Sequence, residues 1–230
     1  METNVSNQTN QAYILNHQGN EIRKQIQKLI YAFEHGSEAR VVEALRYSAE
    51  TAIVAAMPLL SETEKHELMA FWKLNTKDDL LAYLERLSER VKPFPQLSEA
   101  QVRKLFPKSK KLKVPDPDTV PWSNMSYRGW TDVAAQKHYL VYAKDGRLNG
   151  IEGTFSSSPK ANLCCMCNTP GTPETIGYYS VVCKPPAGAS QDYYKAIGNY
   201  MCLDSEACNK AITDLEYLEF FFQEANTKWV

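Results

Sequence analysis

Apolar positions in the first ninety residues recur every three to four residues. From about Gln11 to Phe33, Ile22, Ile26, Leu29, Ile30 and Phe33 form one stripe at helical spacing, and Gly36 closes the pattern. A second stripe starts at Ser37 and includes Val41, Leu45, Ala49, Ala52, Ile53 and Ala56 before Pro58 interrupts it. Ser61-Glu62-Thr63-Glu64 reads as a capping box ahead of Leu68, Met69, Phe71 and Trp72. Thr76-Lys77-Asp78-Asp79 caps a further helix carrying Leu80, Leu81, Tyr83, Leu84, Leu87 and Val91. One amphipathic helix cannot bury its own stripe, so the pattern predicts an antiparallel helical bundle over residues 1–92. Lys92-Pro93-Phe94-Pro95 ends it, because a residue before proline is pushed out of the helical region. The polar stretch Met1–Asn10 is expected to fray.

Beyond that boundary the period changes. Ser98-Glu99-Ala100-Gln101 caps one short helix to Phe106, and prolines at 115, 117 and 121 keep the next stretch extended. Lys137-His138-Tyr139-Leu140-Val141-Tyr142 alternates as a strand. Asp145-Gly146 supplies a hairpin turn, and Leu148–Phe155 returns as the partner strand. Gly177–Cys183 is rich in aromatic and β-branched residues, and Tyr193–Met201 is a weaker strand separated from it by Pro185-Pro186-Ala187-Gly188. Asn209–Phe222 returns to a helical pattern. The expectation is an α+β chain, with residues 93–230 holding antiparallel strands beside a small module at about 160–222.

That module is marked by its cysteines. Cys164 and Cys167 stand at C-x-x-C spacing, and Pro170-Gly171 behind them suits a tight knuckle. Cys202 and Cys208 bracket a helix start, where Asp204 or Ser205 can cap and exposed N–H groups favour thiolate over thiol. A knuckle pair, a hairpin and a second pair at a helix start describe a treble-clef zinc site. Cys165 and Cys183 leave the choice of ligands open, although a regular knuckle points Cys165 away. Two other readings compete: six ordinary buried thiols, or a redox C-x-x-C. The redox reading needs a helix start after the first cysteine, which Asn168–Pro173 does not provide.

Composition narrows the function classes. A length of 230 residues allows one large or two small domains, and a hydrophobic share of 43% suits an ordinary globular chain. A net charge of −1 gives no global field for DNA or membrane surfaces. No apolar run reaches the length of a membrane span, and Met1–Asn10 lacks an export pattern, so clustered cysteines fit a reducing cytoplasm. The histidines are scattered, no carboxylate pair is placed for acid–base work, and no phosphate-binding glycine loop is present. The sequence therefore predicts a binding protein without catalytic residues or a small-molecule substrate. Lys108, Lys110, Lys111 and Lys113 read as a solvated basic connector, with contact to RNA phosphates as the alternative. Tyr193, Tyr194, Lys195 and Tyr200 suit either RNA stacking or a protein interface. Phe220-Phe221-Phe222 cannot all face inward from one helix, since consecutive residues turn by about 100°.

Gly129-Trp130-Thr131-Asp132, Asp145-Gly146 with Gly150-Ile151, Cys164–Asn168, and Tyr200-Met201-Cys202-Leu203 with Ser205 and Cys208-Asn209 together resemble the FusB/FusC family. Members of that family are elongation factor G-binding proteins, some conferring fusidic acid resistance. The resemblance covers both halves and implies one structural zinc ion held by Cys164, Cys167, Cys202 and Cys208. It also implies that the zinc-bearing domain engages elongation factor G and promotes its release from the ribosome, which the protein itself would meet only indirectly or transiently. By position near the knuckle and the final helix, Met166, Lys195, Tyr200 and Phe220 are the expected partner-binding residues, with Met166 exposed at the tip of the turn. A nucleic-acid-binding zinc module and a thiol enzyme using Cys164 and Cys167 are the competing readings.

Overall fold

The computed structural model describes residues 11–225, so Met1–Asn10 lies outside the described residues. It divides into two compact units, Met1–Lys92 and Pro93–Val230. Among the described residues no helix is long and apolar enough to cross a membrane.

The first unit contains α1 (Asn16–Glu34), α2 (Ala39–Ala56), α3 (Glu62–Leu68), a 3-10 turn over Met69–Lys73, and α4 (Lys77–Ser88). The predicted caps form. Ser61 Oγ accepts from Glu64 N at 3.3 Å while Glu64 Oε2 accepts from Ser61 N at 2.8 Å. Thr76 Oγ1 accepts from Asp79 N at 3.1 Å. α1 packs on both α2 and α4. Their core holds Ile22, Ile26, Leu29, Val42, Ala49, Ile53, Leu68, Phe71, Leu80, Tyr83 and Leu87. Tyr83 is buried with its hydroxyl donating to Leu68 O at 2.6 Å, so this polar tip inside the core is satisfied.

Three expectations for this unit change. α1 starts at Asn16, because the preceding residues are held extended: Ile14 bridges Val91, and Lys92 N donates to Ile14 O at 2.7 Å. α2 starts at Ala39 with Glu38 as its cap, and its buried stripe runs through Val42 while Val41 is exposed. Leu81 on α4 is likewise exposed.

The second unit is built on a five-stranded antiparallel sheet in the order β1-β2-β3-β6-β7. Its strands are β1 (Tyr127–Asp132), β2 (Lys137–Lys144), β3 (Arg147–Ser156), β6 (Ile176–Val182) and β7 (Ala196–Cys202). The pair β4 (Asn162–Leu163) and β5 (Pro170–Gly171) forms a separate short ladder. The β2–β3 turn has Asp145 at φ 49° and Gly146 at φ 74°, the left-handed pair that matches a two-residue hairpin to strand twist. The strand β1 was not predicted. Its alternation is hidden because Arg128, a charged residue, points into the protein and is 2% exposed. The Arg128 guanidinium lies between the rings of Trp122 and Trp130, at 5.1 and 5.2 Å from their centroids. One of its nitrogens donates to Pro115 O at 3.0 Å. Two π faces and a carbonyl offset part of the lost hydration, while Nη1 is left without a hydrogen-bond partner.

α5 (Glu99–Leu105) and the segment after it cover one face of the sheet through Phe106, Leu112, Trp130, Tyr139 and Val141. On the other core lie α6 (Ser205–Ala211) and α7 (Glu216–Glu224), which bury Ile212, Leu218, Phe221 and Phe222 with Tyr179, Met201 and the knuckle.

Candidate metal centre

The short β4–β5 ladder shapes the knuckle. Cys164 N donates to Thr169 O at 3.0 Å, and Asn168 N donates to Cys164 O at 2.9 Å. Asn168 sits at φ 55°, a left-handed position that asparagine tolerates better than most residues. Cys202 ends β7, and Asp204 then caps α6 by accepting from Glu206 N at 2.8 Å. That cap places Cys208 one turn into the helix, facing back toward the knuckle.

The four sulfurs of Cys164, Cys167, Cys202 and Cys208 lie within 4.8 Å of one another. Cys164 and Cys208 are 3.8 Å apart, and Cys167 and Cys202 are 3.7 Å apart. A tetrahedron with metal–sulfur bonds of about 2.3 Å has edges of about 3.8 Å. A disulfide would require about 2.05 Å. The donor set and spacing thus fit a closed, four-thiolate metal site. Cys202 N also donates to Cys164 Sγ at 3.4 Å, a contact that stabilises thiolate. The Tyr127 hydroxyl is fully buried without a hydrogen-bond partner, and Cys208 lies beside it. A thiolate at Cys208 is the acceptor this hydroxyl needs.

The thiols act on one another in opposite directions. Contacts from Cys164, Cys202 and Cys208 hold Cys167 well below its ordinary pKa. Contacts from Cys164, Cys167 and Cys202 hold Cys208 well above its own. Four negative sulfurs this close repel, and a dication in their midst removes the conflict. Cys165 stays out of the cluster. Its amide donates to Tyr200 O at 2.8 Å, and burial pushes its thiol up to about 12. Cys183 is buried elsewhere, at the far end of the β6–β7 hairpin.

Access to the cluster is one-sided. Cys164 and Cys208 are fully buried, whereas a depression of about 370 Å³ opens beside Cys167 and Cys202. Behind the cluster, Asn209 fixes α6 to β1. Its Oδ1 accepts from Ser126 N at 2.6 Å and Tyr127 N at 3.2 Å, and its Nδ2 donates to Tyr127 O at 2.8 Å. Ser205 Oγ donates to Gly129 O at 2.8 Å. A Cβ on Gly129 would sit 2.9 Å from the Ser205 Cβ, so this close approach requires glycine. The positioning roles of Asn209 and Ser205 escaped sequence reasoning, since nothing local marks an asparagine that bonds a strand 82 residues away.

The expected partner-binding residues fare differently. Met166 is buried at 3% exposure, which corrects its placement at an exposed tip. The knuckle is laid against β7 through the Cys165–Tyr200 bond, so its middle faces the core. Tyr200 is half-buried and meets Tyr178 across the hairpin, with ring centroids 5.3 Å apart. Lys195 pairs with Glu224 at 2.7 Å. Phe220 is 52% exposed beside Tyr217, while Phe221 and Phe222 are buried. The ring contacts of Tyr200 and Phe220 go to different residues, Tyr178 and Tyr217. Tyr178 and Tyr217 are partners that sequence spacing did not single out.

Comparison with known proteins gives an independent reading. Residues 102–227 match the family described as FBP C-terminal treble-clef zinc-finger, and residues 13–95 match the elongation factor G-binding protein N-terminal family. No curated protein sequence matches the chain. Among solved structures, one described as the fusidic acid resistance protein FusC superposes with a TM-score of 0.71 at 22% identity, covering 95% of this chain and 99% of that one. At that identity the likeness speaks for the fold alone, and the family matches supply the rest. The chain belongs to the FusB/FusC family of elongation factor G-binding proteins, with the family's helical N-terminal domain followed by its treble-clef zinc-finger domain.

Proposed function

We propose that the protein binds elongation factor G through its second unit and promotes release of the factor from the ribosome, thereby protecting translation from fusidic acid. One observation carries this reading: a set of exposed aromatic residues lies on the β6–β7 hairpin, whose last strand ends at Cys202, and on α7, which packs into the same core as the four cysteines. Tyr178 is 38% exposed, Tyr194 73% and Phe220 52%. Aromatic residues on a rigid support make strong protein contacts, because little ordering entropy is lost when they are covered. Met166 no longer belongs to this surface. Lys195, Tyr200 and Phe220 remain in it, joined by Tyr178.

In this reading one zinc ion is held by Cys164, Cys167, Cys202 and Cys208. It supplies a closed tetrahedral cross-link, and none of its positions is left for a substrate. The action is mass action: a contact that favours the released factor over the bound one shifts the equilibrium without covalent chemistry. The ribosome is met only through the factor or transiently, and the site of action is the cytoplasm.

The test combines calorimetry of the protein against purified elongation factor G with release of the factor from fusidic acid-stalled ribosomes. Binding in the micromolar range or tighter and accelerated release are expected. A fragment ending at Lys92 should be helical and should bind no factor. Absence of binding by the whole protein, or full affinity in that fragment, would defeat the proposal.

A further inference from the structure

Arg103–Lys113 contains six cations, Arg103, Lys104, Lys108, Lys110, Lys111 and Lys113, and no carboxylate, in a chain whose net charge is −1. A solvated connector of this composition would be loose, but this one is fastened. Leu105, Phe106 and Leu112 are buried in the core beneath it. Ser109 Oγ donates to Glu152 at 2.6 Å, and Ser109 N donates to Phe106 O at 3.0 Å. Lys113 N donates to Asp132 at 3.2 Å, and its carbonyl accepts from Trp130 Nε1 at 3.0 Å. The anchoring residues point inward, while all six cations remain exposed.

Three of the carboxylates closest to it are already engaged. Glu99 pairs with Arg103, Glu152 with Lys137 at 2.7 Å as well as with Ser109, and buried Asp132 with backbone amides. Among the described residues Lys104, Lys108, Lys110, Lys111 and Lys113 form no ion pair. A fixed row of unpaired ammonium groups suits a regular polyanion, whose bound counterions are released on contact. No large apolar side chain is exposed between Leu81 and Val133, so the strap offers nothing to insert into lipid and no ring to stack on a base.

We propose that this strap binds the phosphodiester backbone of a nucleic acid without reading its bases. The proposal stands apart from factor binding, which uses other residues.

The test is fluorescence anisotropy of the whole zinc-loaded protein with a labelled RNA hairpin and with a DNA duplex of equal length, between 50 and 200 mM salt. Binding to either probe is expected, independent of its sequence, and the preferred probe identifies the source. Changing Lys108, Lys110, Lys111 and Lys113 together to Gln should weaken binding at least about tenfold and flatten the log–log salt slope by about 3.6, as four lost phosphate contacts on a duplex require. The corresponding Arg variant should retain binding. A control with Lys24, Lys28, Lys65 and Lys73 changed to Gln should bind within about twofold of the parent. Affinity for elongation factor G should be unchanged in the strap variant, so the two proposals fail separately. Equal losses in strap and control variants, a salt-independent signal, or binding to phosphatidylglycerol vesicles in place of both nucleic acids would overturn it.

Discussion

Tyr178 and Tyr200 stand directly opposite each other on β6 and β7, their rings edge to face at 5.3 Å. If the pair forms one contact surface, Tyr178→Ala and Tyr200→Ala should each weaken elongation factor G binding by about 2 kcal/mol, roughly 30-fold. The double variant should lose less than the sum, since each ring positions the other. Calorimetry on the three variants checks this, with zinc content as the control for folding.

Met166→Ala should act on stability instead. Its side chain is buried among the residues that line the knuckle, so truncation leaves a cavity costing about 2–4 kcal/mol. Denaturant unfolding should show the loss. Binding of elongation factor G at a temperature where the variant is folded should be close to that of the parent.

Removal of metal should unfold the second unit selectively. Structural zinc contributes about 10 kcal/mol or more in small zinc domains. The helical core of the first unit contains no cysteine and should persist. Because the depression reaches Cys167 and Cys202, a chelator should extract the ion from the native protein. Circular dichroism during chelation should lose strand signal and retain helix, with about one equivalent of zinc released.

Asn209→Ala should cost about 3 kcal/mol, because the Ser126 and Tyr127 amides would lose their buried side-chain acceptor. Asn209→Asp keeps an acceptor but loses the donor to Tyr127 O and adds charge, so it should be no better. Thermal unfolding of both variants, with zinc saturating, is the measurement.

His138 introduces a pH dependence. It is 2% exposed between Phe155 and Tyr179, with Thr131 on its Nδ1, and burial lowers its pKa from 6.5 to about 4. Above pH 6.5 both folded and unfolded imidazoles are neutral and nothing is lost. Between about 6.5 and 4 the unfolded chain takes up the proton first, so stability falls as pH falls, by about 3 kcal/mol in all. His138→Phe should remove this component, leaving a shallower decline than the parent over that range. Identical pH profiles for parent and variant would reject it.

The readable parts of the sequence were those with local causes. Ser61, Thr76 and Ser98 cap helices through residues three positions away, and Asp145-Gly146 sets a turn through its own backbone angles. The cysteine spacing was legible for the same reason, because the knuckle and the capped helix are both short-range devices. What remained hidden depends on distant partners. Arg128 reads as a surface residue until Trp122 and Trp130 are seen on either side of it. Gln11–Leu15 looks continuous with α1 until Val91 draws Ile14 into an extended bridge. Met166 looks like the tip of a loop until β7 is placed against it. Val41 and Leu81 fall on helical stripes but lie at their margins, where periodicity alone does not mark the boundary of the core.

During synthesis the chain acquires its two halves by different routes. The helices of the first unit are adjacent in sequence, so α1 can pack on α2 as soon as both have been made, and low separation between contacting residues makes such folding fast. The cluster works the other way. Cys164 must wait 44 residues for Cys208, and Cys167 must wait 35 for Cys202. Until then the strand β1 has neither Asn209 nor Ser205 against it, and one face of the sheet stays uncovered. In the zinc-bound reading proposed above, metal supplied at that moment would cross-link the knuckle to α6 and close the unit over that face.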